Sequence, residues 1–222
     1  MFDPRKVDPE LGREVEAHLQ SLGFATPTFA AGLAVDTAGK IARIKKSVTD
    51  IMMTLGLDLS NDSLAETPER IAKMYVGELM WGLLPENFPK VTTIENSMQY
   101  DEMLIEKDIT VMSLCEHHFV TIEGKCHIAY FPGKKVAGLS KFNRVVEYFA
   151  RRPQVQERLT SQIIQTLKYI LDTEDVAVVI EAKHYCVISR GVEDESSETI
   201  TSASSGRFRI PEVRAEFMSL IK

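Results

Sequence analysis

The stretch Lys141–Leu171, KFNRVVEYFARRPQVQERLTSQIIQTLKYIL, reads as two helices parted by Pro153. Proline has no amide hydrogen to donate, so it ends the first helix and can start the second. Working outward, EMLIEKDITVMS (102–113) and FVTIEGKCHIAYF (119–131) are β-rich runs on the N-terminal side, the second with an expected bend at Glu123–Gly124. On the C-terminal side DVAVVIEAKHYCVISR (175–190) reads as one long strand and ETITSASSGRF (198–208) as another. The order is strand, strand, helix, helix, strand, strand. Paired strands on either side of a helical pair predict an α+β fold with a mostly antiparallel sheet, and argue against an alternating βαβ fold.

The first ninety residues read as helical. Leu11, Val15, Leu19 and Leu22 form one face of a helix over 10–22 closed by Gly23, and FATPTFAAGLAVD (24–36) reads as a linker. A second helix over 37–55 carries Ile41, Ile44, Val48, Ile51, Met52 and Leu55 on one stripe, with Gly56 as its stop. A third begins in ETPERIAKMYVGEL (66–79), where Thr67 can cap and Pro68 suits the first helical position. The chain thus divides into an N-terminal helical region, 1–90, and a second domain, 91–222.

With 222 residues, 44% hydrophobic content and a formal net charge of −6, the chain is globular in character and has no general attraction to nucleic acid or anionic membrane. Its charged first residues, MFDPRKVDPELGREVE, lack the apolar run of about 7–15 residues that a secretory signal needs. No apolar stretch approaches the ~18 residues of a membrane span. A cytoplasmic location is expected, where thiols stay reduced, so for any pair among the three cysteines metal binding outranks a disulfide.

Two distant segments combine cysteine with histidine. SLCEHHFVTIEGKCH (113–127) holds Cys115, His117 and His118, and EAKHYCV (181–187) holds His184 and Cys186. Strand alternation would put His184 and Cys186 on one face, whereas Cys115 and His118 meet only across a helical turn or tight loop. Thiolate and imidazole together favour zinc. A closed structural site takes four of the five candidates. A catalytic one takes three plus water, leaving two histidines for acid–base work, and that surplus favours hydrolysis. Cys126 has no ligand pattern around it and reads as structural.

GLSKFNR (138–144) offers a possible N-cap, Ser140, followed by Lys141 and Arg144, a plausible phosphate cradle. Between Lys134 and Arg152 six residues are basic and only Glu147 is acidic. Solvated basic faces would give the same pattern here and at Arg70 and Lys73, one turn apart on the third helix.

Taken together, CEHH (115–118), GLSKFNRVVEYFARRPQVQERLT (138–160), HYCVISRG (184–191), SSETITS (196–202) and ETPERIAKMY (66–75) resemble the GTP cyclohydrolase I family, over about Asp36 to Ile221. The resemblance implies the tunnelling fold, in which antiparallel sheets from several subunits join into an oligomeric barrel. It also implies a homodecamer of two facing pentamers with active sites between chains. Cys115, His118 and Cys186 match zinc ligands, and His117 and His184 match non-ligand catalytic histidines. Ser140, Lys141, Arg144 and Arg190 match triphosphate contacts, with Arg70 and Lys73 reaching in from a neighbouring subunit. Glu157, beside Gln156, matches the carboxylate that holds guanine. The implied reaction is zinc-dependent hydrolysis and rearrangement of GTP to 7,8-dihydroneopterin triphosphate with release of formate, the first step of pterin and tetrahydrofolate biosynthesis. Acidic Glu193, Asp194, Glu195 and Glu198 depart from the pattern expected of a loop near a triphosphate, a departure that bears on triphosphate affinity more than on the family assignment. Two rivals are a fold relative acting on another pterin or deazapurine, and a non-catalytic purine-nucleotide-binding protein with a structural zinc.

Overall fold

Asp8 accepts a hydrogen bond from the Leu11 amide at 3.1 Å and starts α1 (Pro9–Ser21) in the computed structural model, which describes residues 3–222. A single helical turn, α2 (Ala30–Leu33), interrupts the expected linker. Asp36 then accepts from the Gly39 amide at 2.7 Å and caps α3 (Thr37–Thr54). Both long helices stop where expected, at Gly23 and Gly56, each in the left-handed conformation. α4 (Thr67–Met74) differs from expectation at its start: Glu66 occupies the cap position without a side-chain cap bond, and Thr67 is already helical. α4 continues into a wider turn over Tyr75–Leu79.

The second half holds β1 (Thr93–Glu95), β2 (Leu104–Cys115), β3 (Thr121–Tyr130), β4 (Lys135–Ala137), α5 (Ser140–Ala150), β5 (Pro153–Gln154) and α6 (Gln156–Leu171). β6 (Val176–His184), α7 (Tyr185–Ile188), β7 (Thr199–Ser204) and α8 (Pro211–Leu220) complete it. β1 and β4 form a small antiparallel ribbon, and the main sheet runs β5-β2-β3-β6-β7. Every pairing in that sheet is antiparallel except the two-residue pairing of β5 with β2. This is the α+β arrangement expected from the helical pair. Among the described residues no helix is long and apolar enough to cross a membrane.

One apolar core joins the two parts of the chain. Val15 and Leu19 of α1, with Trp81 and Phe88, share it with Phe142 and Phe149 of α5, Leu159 and Ile163 of α6, and Ile122 and Ile180 of the sheet. Cys126 is fully buried in the same core, and desolvation pushes its thiol pKa up, as befits a small apolar side chain. A second, smaller cluster packs Phe208 and Phe217 under Ala129, Ala177 and Val179. Arg152, counted above among the basic residues near the phosphate cradle, is in fact 1% exposed. Its guanidinium donates to the Gly82 carbonyl and to Thr26 Oγ1 and lies over the Tyr148 and Phe149 rings, so it is committed to the core.

Three local expectations are corrected by tertiary contacts. The sheet irregularity lies not at Glu123–Gly124 but on the neighbouring strand opposite His127, between Glu106 and Ile109 of β2, where Asp108 has φ 61°. The Asp108 amide donates to His127 Nδ1 at 3.3 Å, and Lys125 pairs with its carboxylate at 2.8 Å. Gly124 serves close approach: a Cβ there would lie 2.1 Å from the Glu181 carbonyl oxygen of β6. Gly124→Ala should therefore push β6 away at a cost of about 1–3 kcal/mol. A urea unfolding midpoint equal to that of the wild type would refute this.

Pro153 neither ends α5 nor starts α6. α5 stops at Ala150, and Pro153–Gln154 pairs with Leu114–Cys115. The long C-terminal strand ends at His184, and Cys186 sits on the helical turn α7. These last two departures build the site.

Candidate active site

β5 aligns Gln154 with Cys115, and the Glu116 amide donates to the Gln154 carbonyl at 3.0 Å. The start of α6 is thereby anchored beside the end of β2. After Cys115 the chain turns tightly, with the Phe119 amide bonded to the Cys115 carbonyl at 2.8 Å, and this turn brings His118 back toward Cys115. From the other side, α7 rotates Cys186 out of the β6 register into the same corner. The Tyr185 hydroxyl donates to Glu123 at 3.0 Å and holds that turn against β3. Strand alternation therefore does not place Cys186; a helical turn does.

Cys115 Sγ, Cys186 Sγ and one ring nitrogen of His118 lie within 4.8 Å of one another, the one such group of metal-ligating side chains among the described residues. Two sulfurs and one imidazole are a donor set that suits zinc. Burial and the neighbouring Cys115 thiol raise the Cys186 pKa, so a cation entering this corner would have to displace protons. His117 lies outside the triad, although its Nδ1 is 3.7 Å from Cys115 Sγ, against 4.0 Å for His118 Nδ1. The five sequence candidates thus divide into three convergent donors and two spare histidines. Arg190 reaches the rim and donates from Nη1 to His118 Nε2 at 2.9 Å.

The second spare histidine is held by a fixed amide. Gln156 is 1% exposed. Its Nε2 donates to the carbonyls of Ile180 and Thr199 at 3.0 and 2.9 Å. Carbonyls only accept, so the Gln156 nitrogen must face them and its oxygen must face His184 Nε2, 2.7 Å away. His184 Nε2 therefore carries hydrogen, and in the neutral ring Nδ1 is the free lone pair. Burial lowers the His184 pKa, with the nearby Glu157 charge acting in opposition. Glu157 itself is exposed on the first turn of α6.

The remaining sequence candidates lie elsewhere on the chain. Ser140 is the first residue of α5, and Leu139 occupies the cap position, so the expected Ser140 cap is absent. Lys141 lies among Arg144, Lys6 and Lys90; desolvation first, then their charges, lowers its pKa. Lys6 and Lys90 escaped the sequence reading because only the pairing of Lys90 N–H with the Lys6 carbonyl brings those distant segments together. Arg70 and Lys73 are exposed on α4, paired at 2.7 Å with Glu66 and Glu69. The acidic Glu193–Glu195 segment lies on the exposed loop after α7. His117 and Glu116 also border a cavity of about 900 Å3 lined mostly by apolar residues, including Phe29, Tyr75 and Trp81.

Comparison with known proteins agrees with the motifs. A family model described as GTP cyclohydrolase I matches residues 44–222. A protein named GTP cyclohydrolase 1 from Aeromonas hydrophila is 54% identical over 209 residues, covering 94% of this chain and 95% of its own. One of the same name from Flavobacterium johnsoniae is 55% identical over 183 residues, 82% of each chain. Another, from Shewanella loihica, is 50% identical over 211 residues, 95% of this chain and 98% of its own. With such coverage the likeness reaches into α1, which the motifs alone left out.

Proposed function

The chain belongs to the GTP cyclohydrolase I family of enzymes, and from that premise we propose that it hydrolyses GTP to 7,8-dihydroneopterin triphosphate and formate with the help of zinc held by Cys115, His118 and Cys186. The observation that carries this reading is the convergence of those three donors with two histidines left over. A bound zinc supplies Lewis acidity, which can bring the pKa of water down to about 7.

The chain's own residues supply the rest. Glu157 accepts from guanine N1–H and the exocyclic amine, donors that adenine does not present in that arrangement. His117, exposed beside the triad, delivers a proton to the imidazole portion of the base as its ring opens. His184, neutral and held by Gln156, keeps Nδ1 free to move a proton at the ribose. Arg190, Ser140, Lys141 and Arg144 meet the triphosphate, and Arg70 and Lys73 reach it from a neighbouring subunit. The pairs that Arg70 and Lys73 make on α4 are solvent-exposed and readily exchanged for a stronger anion.

The decamer of two pentamers belongs to the same proposal, as does closure of the sheet into a tunnelling-fold barrel. It is supported by the sheet edges: among the described residues β2 has no partner on its outer side beyond its short pairing with β5, and β7 ends the other edge with Ile200 61% exposed. Pairing such edges between chains removes an aggregation hazard. The cytoplasm, which keeps Cys115 and Cys186 reduced, is the fitting compartment, and supply of the pterin for tetrahydrofolate synthesis is the fitting role.

The test is incubation with GTP, measuring formate and, after oxidation, the fluorescent pterin. Both should appear in equal amounts, vanish with a zinc chelator and return on adding zinc. Binding of GTP without formate would sink the reading and favour a nucleotide-binding protein with structural zinc.

A further inference from the structure

Glu116, between Cys115 and His117, has no role in the chemistry above, yet its carboxylate is bonded to Arg158 Nη2 of α6. The two side chains are only 29% and 15% exposed. Arg158 also donates from Nε to Gln154 Oε1 at 3.2 Å. Gln154 Nε2 donates to the Phe149 carbonyl at 2.9 Å and to Gln162 Oε1 at 2.7 Å. Gln162 Nε2 in turn donates to the Phe24 carbonyl at 2.8 Å and to Thr26 Oγ1 at 3.1 Å.

The direction of this chain of bonds is forced. The Phe24 and Phe149 carbonyls can only accept, so both amide nitrogens must face them, and both amide oxygens face the next donor. Gln154 and Gln162 are completely buried, so neither can turn to water. Arg158 is thus the donor at one end of a fixed line and the Glu116 carboxylate is the terminal acceptor. A guanidinium can serve Gln154 and Glu116 together through its planar fork, whereas a lysine ammonium on a flexible stem has no such geometry.

We propose that the Glu116–Arg158 pair is a positioning device for the reaction. It fixes the turn that carries His117 against the first turn of α6, which carries Gln156 and Glu157. Glu116 and Arg158 touch neither the metal donors nor, in this role, the substrate. What they set is the distance between the proton donor at one end of the guanine and the carboxylate at the other. A shift of about 1 Å in a catalytic group is enough to cost about 10²-fold in rate. The proposal rests on the GTP cyclohydrolase reading.

The test uses zinc-loaded full-length enzyme and the variants Arg158→Lys, Arg158→Met, Glu116→Gln and the double variant Glu116→Gln/Arg158→Met. Each is measured for kcat, KM for GTP, zinc per chain and thermal midpoint. Expected is a fall in kcat of about 10- to 100-fold with KM and zinc content close to wild type, and a double variant no slower than the worse single one. A folded Arg158→Lys with wild-type kcat would overturn the proposal. So would losses of kcat that simply track losses of zinc, or that multiply in the double variant. Arg158→Lys keeps charge and bulk, so it decides the matter even if the other variants fail to fold. A wild-type enzyme that releases no formate from GTP would instead remove the reading on which the proposal rests.

Discussion

His117→Ala is expected to leave zinc content unchanged and to lower turnover of GTP by at least about 10²-fold, toward the 10⁴-fold that a well-placed general acid contributes. The expectation follows from geometry. His118, not His117, joins Cys115 and Cys186 in the triad, so removing His117 takes away no donor. The His117 ring is exposed, which also makes a folding defect an unsuitable explanation for lost activity. Zinc per chain by mass spectrometry of metals, together with formate release, separates the two roles. Loss of zinc in this variant would make His117 the ligand and His118 the spare histidine.

Glu157→Gln carries the second large effect. A carboxylate offers acceptors to both guanine donors, whereas an amide presents one acceptor and one hydrogen-bearing nitrogen that opposes the second donor. Leaving polar groups unmatched in a site built to pair them accounts for discriminations of about 10⁴. The variant should lose about 10²- to 10⁴-fold in kcat/KM for GTP and most of its preference for GTP over ATP. Because Glu157 lies on the exposed first turn of α6, its thermal midpoint should barely move. Unaltered kcat/KM would remove Glu157 from the guanine site.

What was legible in the sequence is what depends on local periodicity. The helices on either side of Pro153, the two flanking strand pairs and the stops at Gly23 and Gly56 follow from apolar spacing and backbone preference. The features that finish the site do not. Tyr185, Val187 and Ile188 are all at home in strands, so nothing local marks the change at His184 from β6 to the turn that carries Cys186. That change is anchored by Tyr185 on Glu123, a contact between residues far apart in the chain. Pro153 punctuates the helices, but its pairing with Leu114 is a tertiary event. The five metal candidates could be counted from the sequence, and the motif resemblance singled out His118 over His117; the turn at Cys115 that brings the His118 ring toward Cys186 is a feature of the folded chain. Glu116 and Arg158, 42 residues apart, gave no signal that they belong together.

In the proposed enzyme Cys115, His118 and Cys186 hold zinc and leave it room for solvent. X-ray absorption at the zinc edge of the loaded enzyme tests it most directly. Expected are two sulfurs at about 2.3 Å and two lighter atoms at about 2.0 Å, one of them a histidine nitrogen, with the sulfur signal halved in Cys186→Ser. A shell of four protein donors with no place for water, or a sulfur count that ignores the loss of Cys186, would contradict it.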